Sequence, residues 1–172
     1  RVPTRDAWVF ATVLTIAGLS ILALGANLLS AIVALLTVAS YAVVYTPLKR
    51  YSSFSTVIGA IPGALPPVIG WAAALDELSQ GAWVLFGIVF LWQLPHFLAI
   101  AWMFREDYAR AGLPMLPVVD ADGSMTGRQT VVWAAVLIPV SELPYLLGQT
   151  NGVYAIGALV LGVLQLALAV RF

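Results

Sequence analysis

The sequence predicts an all-α fold, a polytopic bundle of transmembrane helices. Hydrophobic residues make up 62% of the 172 residues, charged residues make up 9%, and the mean hydropathy is +0.98. An ordinary soluble domain is about 45–50% apolar and about 25% charged, so these few charges could not cover the surface of one. Six apolar stretches each approach the length of about 20 residues that crosses a bilayer as a helix. They are Trp8–Leu24, Leu28–Tyr45, Val57–Leu75, Trp83–Phe104, Thr130–Leu147 and Val153–Val170. Because these spans fill most of the chain, we expect a single membrane domain over residues 1–172.

The composition also excludes several classes of function. Eight basic residues balance eight acidic ones, so the net charge gives no reason to expect a nucleic-acid partner. The chain contains no cysteine, which excludes disulfides, thiolate metal sites and cysteine nucleophiles from it. One histidine cannot form a His-rich metal site.

The placement of the basic residues predicts the orientation of the bundle. With six spans, every Lys and Arg falls on one side, whereas the opposite loops contain Asp76 and Glu77 and no basic residue. The positive-inside rule assigns the basic side to the cytoplasm. The longer connections, over residues 46–56 and 105–129, lie on the same side. We therefore expect a functional site to open toward the cytoplasm.

The third span is irregular, because three prolines and three glycines interrupt it between Thr56 and Gly70. Each interior proline removes a backbone donor and crowds the preceding turn. In lipid the freed carbonyls need protein neighbours or a watery cavity. We expect this span to be kinked and to line a cavity, with simple glycine-mediated helix packing as the alternative.

The fourth span carries the single histidine of the chain, His96, shortly after Gln93. An imidazole and an amide are costly in hydrocarbon unless they face the interior of the bundle. These side chains either form hydrogen bonds between helices or serve a function, by contact with a polar group of a ligand or by proton transfer, and the spacing alone does not decide between the two. Glu142, in the fifth span, is interpreted as structural.

Polar residues cluster where the second span ends on the basic side. Tyr45 and Lys49 are four residues apart, which places the phenol and the ammonium on one helix face, and Arg50 follows. Such a group suits an oxygen of a diphosphate, since Lys and Arg bind phosphate through charge and hydrogen bonds. The alternative is a basic anchor at the membrane surface.

A second polar cluster follows the fourth span and contains Arg105, Asp107, Tyr108 and Arg110. A carboxylate beside arginines could hold Mg²⁺ against a phosphate, because Mg²⁺ takes one or two carboxylates together with substrate oxygens. The alternative is a solvated interfacial helix with pairs of opposite charge, and the composition does not choose between them.

Four strings of residues occur in one order along nearly the whole chain. They are Tyr45-Thr-Pro-Leu-Lys-Arg50, Gly59-Ala-x-x-Gly-Ala-x-Pro-Pro-x-x-Gly-Trp71, Leu91-Trp-Gln-x-Pro-His96 and Asp107-Tyr-x5-Pro-Met-Leu-Pro-Val118. Together they resemble the haem O synthase branch, the protohaem IX farnesyltransferases, of the UbiA superfamily of intramembrane prenyltransferases. The first string belongs to the wider superfamily, whereas the last two are specific to this branch.

The resemblance implies a nine-helix fold around a central cavity that opens to the cytoplasm, in a bacterial inner membrane. It implies transfer of a farnesyl group from farnesyl diphosphate to a vinyl group of protohaem IX, with addition of water, to give haem O and diphosphate. Mg²⁺ held by acidic loops would assist departure of the diphosphate, and haem would be a substrate rather than a cofactor.

The resemblance also assigns roles to residues at the basic end of the spans. It places Lys49 and Tyr45 at the diphosphate, with Arg50 adjacent to them. Arg105 and Arg110 are weaker candidates for neutralising the diphosphate charge.

Further roles concern the metal and the acceptor. The resemblance places Asp107 in the second acidic loop, where it would help to hold Mg²⁺, with Tyr108 beside it. It makes Gln93 and His96 face the cavity, with His96 in contact with haem.

The chain departs from the family pattern in its acidic motifs. The Asn-x3-Asp-x3-Asp motif of the family's first acidic loop does not occur, and Ser55 stands where an asparagine is usual. We expect the chain to contain the central six helices of the nine and to be catalytically incomplete alone. The alternatives are another UbiA-type prenyltransferase with an aromatic or quinone-precursor acceptor, and a membrane transporter.

Overall fold

The computed structural model describes residues 3–171, and over this range the chain forms helices and connections without a β-strand. A π-helical segment, Ser40–Tyr45, joins α2 to α3. The α-helices of this range are α1 Thr4–Gly25, α2 Leu28–Ala39, α3 Thr46–Leu48, α4 Ser55–Ala64, α5 Pro66–Leu75, α6 Gln80–Met103, α7 Arg105–Arg110, α8 Leu116–Val119, α9 Ser124–Leu146 and α10 Gly152–Arg171.

Six helical runs between residues 3 and 171 are long and apolar enough to cross a bilayer. They coincide with the six predicted spans, and the largest difference is at α9, which begins at Ser124 rather than Thr130. Large apolar side chains such as Trp8 and Leu24 lie exposed on the outside of the bundle, as lipid contact requires. The predicted all-α polytopic bundle is therefore confirmed, and the chain is that of an integral multi-pass membrane protein. Arg1, one of the basic residues behind the predicted orientation, lies outside the described residues.

The second span begins at an asparagine that joins two helices. Asn27 caps α2 by accepting a hydrogen bond from the backbone N–H of Ser30 at 2.8 Å. Its amide donates to the backbone oxygen of Ala72 at 2.7 Å, which fastens the start of α2 to α5. The span then continues through the π-helical segment and α3 to Leu48. A single π-helical turn inside an α-helix is frequently found at a functional site.

The third span is broken at Leu65, where α4 ends and α5 begins. Pro66 occupies the first position of α5, where a missing N–H costs no intrahelical hydrogen bond. Pro62 lies inside α4 and is buried. The span is therefore interrupted at its prolines, whereas the predicted kink stays a prediction.

Helix α6 is the centre of the described bundle, because it packs against α4, α5 and α9, while α10 packs against α9. The core between α2, α5 and α6 is built on the buried side chains of Val33, Val68 and Ala82. Trp71 covers this core and donates from its indole N–H to the hydroxyl of Ser79 at 2.9 Å.

The connection from α6 to α9 carries the two short helices α7 and α8 and ends at an aspartate. Asp120 accepts hydrogen bonds from the backbone N–H and the hydroxyl of Thr126, at 2.6 Å and 2.7 Å. These bonds hold the pKa of the Asp120 carboxyl below its usual value, because they favour the ionised form. At pH values above that pKa, Asp120 is charged and stabilises the start of α9. Acidification through the lowered pKa protonates the carboxyl and removes this stabilisation.

Glu142 lies within α9, and its Oε1 atom is buried without a hydrogen-bond partner in the described part of the chain. Its interpretation as a structural residue stays a prediction.

Candidate functional site

A cavity of about 350 Å³ lies where the π-helical segment, α4, α6 and α7 meet. We call it the tyrosine cavity. Its lining includes Tyr41, Tyr45, Gly59, Gly63, Gln93 and Tyr108. Two of its glycines come from the third span, so the prediction that this span lines a cavity is confirmed.

Two glycines of α4 make room for the polar side chains of the tyrosine cavity. A Cβ atom at Gly59 would lie 2.6 Å from Cδ2 of Tyr45, so the phenol ring packs directly against the α4 backbone. A Cβ atom at Gly63 would lie 3.1 Å from the amide carbon of Gln93. Gln93 is 5% exposed, and its amide donates to the backbone oxygen of Val89 at 3.0 Å. Its amide oxygen lies toward Gly63, on the wall of the cavity.

Lys49 adjoins the tyrosine cavity at the end of the second span. Its backbone N–H donates to the carbonyl of Tyr45 at 3.0 Å, so the two residues are one helical turn apart. Its Nζ atom lies 5.7 Å from the centroid of the Tyr45 ring, within cation–π range. The Tyr41 ring is centred 5.0 Å from that of Tyr45. The predicted common face of Tyr45 and Lys49 is therefore present, whereas Arg50 is exposed beyond it.

The remaining charges of the second polar cluster lie outside the tyrosine cavity. Asp107 forms an ion pair with Arg110, and both side chains are largely exposed. The guanidinium of Arg105 lies 4.4 Å from the centroid of the Trp102 ring. Arg105 also lines a separate groove beside α8, together with Pro117. Of this cluster, Tyr108 alone lines the tyrosine cavity.

The described residues do not form a complete site for Mg²⁺. Between residues 3 and 171, no group of three or more His, Asp or Glu side chains is arranged to hold a metal ion. Asp107 already accepts from Arg110. A site that supplies one carboxylate would have to take its other ligands from substrate oxygens and water.

His96 faces a second cavity, of about 310 Å³, between α6, α9 and α10. We call it the histidine cavity. Its lining includes Trp92, Pro95, His96, Thr130, Gln165 and Leu168. Sequence reasoning placed Gln93 and His96 in one cavity, but residues three apart point about 60° apart around a helix. The structure accordingly gives them different cavities on neighbouring faces of α6.

An exposed row of rings connects the two cavities. The imidazole of His96 stacks on Trp92, with centroids 5.1 Å apart and ring planes inclined by 15°. Its ring centroid also lies 5.8 Å from that of Phe97, which lines the tyrosine cavity. Trp92 and Phe97 are 47% and 37% exposed. We call these three side chains the aromatic row.

Several lining residues were missed by sequence reasoning. Trp92 and Phe97 carry no signal that separates them from lipid-facing aromatic residues, because α6 is apolar on every side. Gln165 did carry a recognisable signal, since it is the lone amide inside a span of otherwise apolar residues. It lines both the histidine cavity and an adjoining apolar cavity of about 620 Å³.

We predict that Gly59→Ala and Gly63→Ala each lower the free energy of unfolding by about 1–3 kcal/mol, because an added methyl group overpacks these contacts. Gly70→Ala is the matched control, since no atom lies within 4 Å of the position its Cβ would take. The control should be neutral or stabilising by up to about 1 kcal/mol, as alanine favours a helix. Denaturant unfolding of the full-length protein in detergent measures the effect, and equal losses for all three variants would contradict the packing described.

Comparison with known proteins gives one consistent set of relatives. A protein of Solibacter usitatus named "Protoheme IX farnesyltransferase" is 56% identical over 171 residues, which cover 99% of this chain and 59% of the relative. Proteins of the same name from Koribacter versatilis and Gloeobacter violaceus are 48% and 46% identical, and the matches cover 90% and 94% of this chain. These two matches cover 50% and 53% of the relatives' own length, so the chain spans little more than half of the curated relatives it matches.

No solved structure matches the chain. The family model described as "UbiA prenyltransferase family" matches residues 1–172. The chain therefore belongs to the UbiA prenyltransferase family.

Proposed function

We propose that this chain forms part of an enzyme that transfers the farnesyl group of farnesyl diphosphate to a vinyl group of protohaem IX, with addition of water, to give haem O and diphosphate. The relatives named above support this choice of substrates. The structural observation that carries it is the tyrosine cavity, with Lys49 beside it, joined by the aromatic row to a second cavity. One end is suited to an anion and the other to a flat aromatic ligand.

The diphosphate is assigned to the end of the tyrosine cavity near Lys49. The ammonium of Lys49 and the phenol of Tyr45 would bind diphosphate oxygens, and Tyr108 offers a second phenol in the same cavity. Because negative charge grows on the leaving diphosphate, a fixed cation and fixed donors stabilise the transition state more than the ground state. Arg50 and Arg110 would raise the local concentration of the anion from outside the cavity.

The acceptor is assigned to the aromatic row. Protohaem is a broad, planar macrocycle, and the exposed rings of Trp92, His96 and Phe97 would give it an aromatic contact surface. A macrocycle on this row would hold a vinyl group between the two cavities. The apolar surroundings would protect an allylic cation from premature reaction with water.

We propose that the full-length protein uses Mg²⁺, because UbiA family prenyltransferases generally do. Asp107 is the residue of this chain that we assign to it. The roles proposed for Lys49 and Tyr45 do not depend on the metal.

The proposed function is tested with the full-length protein in membranes, supplied with Mg²⁺, farnesyl diphosphate and protohaem. We expect a farnesylated, hydroxylated haem that chromatography and mass spectrometry identify as haem O. Prenylation of a hydroxybenzoate without this product would favour another acceptor class. Solute flux without any prenylation would favour a transporter.

Loss of the charge or the phenol beside the diphosphate should reduce kcat/KM for farnesyl diphosphate. We expect about a 100-fold loss for Lys49→Met and about tenfold for Tyr45→Phe, since one preorganised donor is typically worth factors of this order. Tyr51→Phe is the matched control, because Tyr51 is 81% exposed and lines neither cavity. Steady-state kinetics at varied farnesyl diphosphate measure the effect, and unchanged kinetics for Lys49→Met would overturn this assignment.

We propose further that the site faces the cytoplasm of a bacterial inner membrane. The chain has no cysteine of its own, so a single cysteine reports its position cleanly in a cysteine-free background. A membrane-impermeant maleimide should label Gln149→Cys in intact spheroplasts, whereas Ala111→Cys should react only after the membrane is opened. The reverse pattern would overturn the orientation. Both positions are exposed and lie in connections on opposite sides of the bundle.

A further inference from the structure

The histidine cavity brings together three polar groups inside an otherwise apolar surface. His96 comes from α6, Thr130 from α9 and Gln165 from α10, and their neighbours there include Trp92 and Leu168. In hydrocarbon, polar side chains normally pair with one another or with the backbone. Three such groups around one cavity therefore require an explanation.

Two of the three groups lack a partner. Within residues 3–171, the imidazole of His96 and the amide of Gln165 form no side-chain hydrogen bond. The hydroxyl of Thr130 donates to the backbone oxygen of Thr126 at 2.8 Å, which leaves the lone pairs of its oxygen free to accept. Thr130 itself is 3% exposed, so its hydroxyl is held within the packed bundle.

A bound water molecule would satisfy this arrangement. A buried water typically makes two to four hydrogen bonds and needs only a small part of a cavity of this size. An imidazole nitrogen accepts, the Thr130 oxygen accepts and the Gln165 amide can donate or accept. We infer that His96, Thr130 and Gln165 hold the water molecule that adds to the acceptor in the proposed reaction, with His96 as the base; this inference rests on the proposed function.

In the inferred reaction, water adds to the cation that farnesyl transfer produces. The C1–O bond of farnesyl diphosphate breaks, and its electron pair leaves with the diphosphate. The vinyl electrons of protohaem form a C–C bond to C1, which leaves a cation on the side-chain carbon next to the macrocycle. The water oxygen bonds to this carbon, and one water proton passes to the imidazole of His96 and from there to solvent. Without a held water, the same cation loses a proton from the neighbouring carbon and forms an alkene.

The two fates give products that differ by one water molecule, so their ratio tests the inference. We expect the full-length wild-type protein to give mainly the hydroxylated product, with its oxygen derived from ¹⁸O-labelled water. Gln165→Leu and Thr130→Val should each raise the share of the alkene about tenfold, because each removes one hydrogen bond to the water. Thr130→Ser keeps the hydroxyl and should keep the wild-type ratio.

Gln149→Leu is the matched control for the loss of an amide, since Gln149 is exposed in the connection before α10. The ratio is independent of how much enzyme is folded, so partial misfolding of one variant does not imitate the effect. An unchanged product ratio in both Gln165→Leu and Thr130→Val would overturn the inference while leaving the proposed function intact. Absence of any farnesylated haem from the wild-type protein would overturn the proposed function, and this inference with it.

Discussion

The hydrocarbon core of a bilayer offers no hydrogen-bond partner, and the described structure follows from this constraint. The spans are helical because a helix satisfies its backbone internally, and the proline break at Leu65 lies within the bundle, where α4 and α5 pack on neighbouring helices. Gln93 turns its amide N–H back to the carbonyl of Val89 for the same reason. Against this background, polar groups that stay unpaired on a cavity wall, as His96 and Gln165 do, mark places where a ligand is expected.

Helix α6 separates the tyrosine cavity from the histidine cavity. Gln93 and Phe97 face the tyrosine cavity, while Trp92 and His96 face the histidine cavity. The glycines of α4 let Tyr45 and Gln93 approach the helix backbone, so the first cavity is shaped by close packing. The second is shaped instead by helices α9 and α10. Under the proposed function, α6 would therefore face the anionic leaving group on one side and the flat acceptor on the next.

The sequence was sufficient for much of the fold, because span length and proline spacing are local signals. It also placed Tyr45 and Lys49 on one face, since four residues make about one helical turn. It could not separate His96 from Gln93, because that depends on where α9 and α10 pack. The guanidinium of Arg105 likewise lies over the Trp102 ring and does not line the tyrosine cavity, because of the path that the chain takes after α6. The role of Asp107 stays a prediction, as its pairing with Arg110 is equally typical of a solvated helix.

The π-helical segment Ser40–Tyr45 has a consequence for how this chain can change. A π-helical turn contains one residue more than the α-helical turn it replaces, so it adjusts the angular phase of everything that follows it. If the same six residues formed a regular α-helix instead, the Tyr45–Lys49 face would be rotated by about 100° around the axis, away from α4. The π-helical segment therefore sets the direction in which Tyr45 and Lys49 point relative to the side chains of α2. The helical form of these six residues therefore determines whether the Tyr45 ring packs against Gly59 of α4.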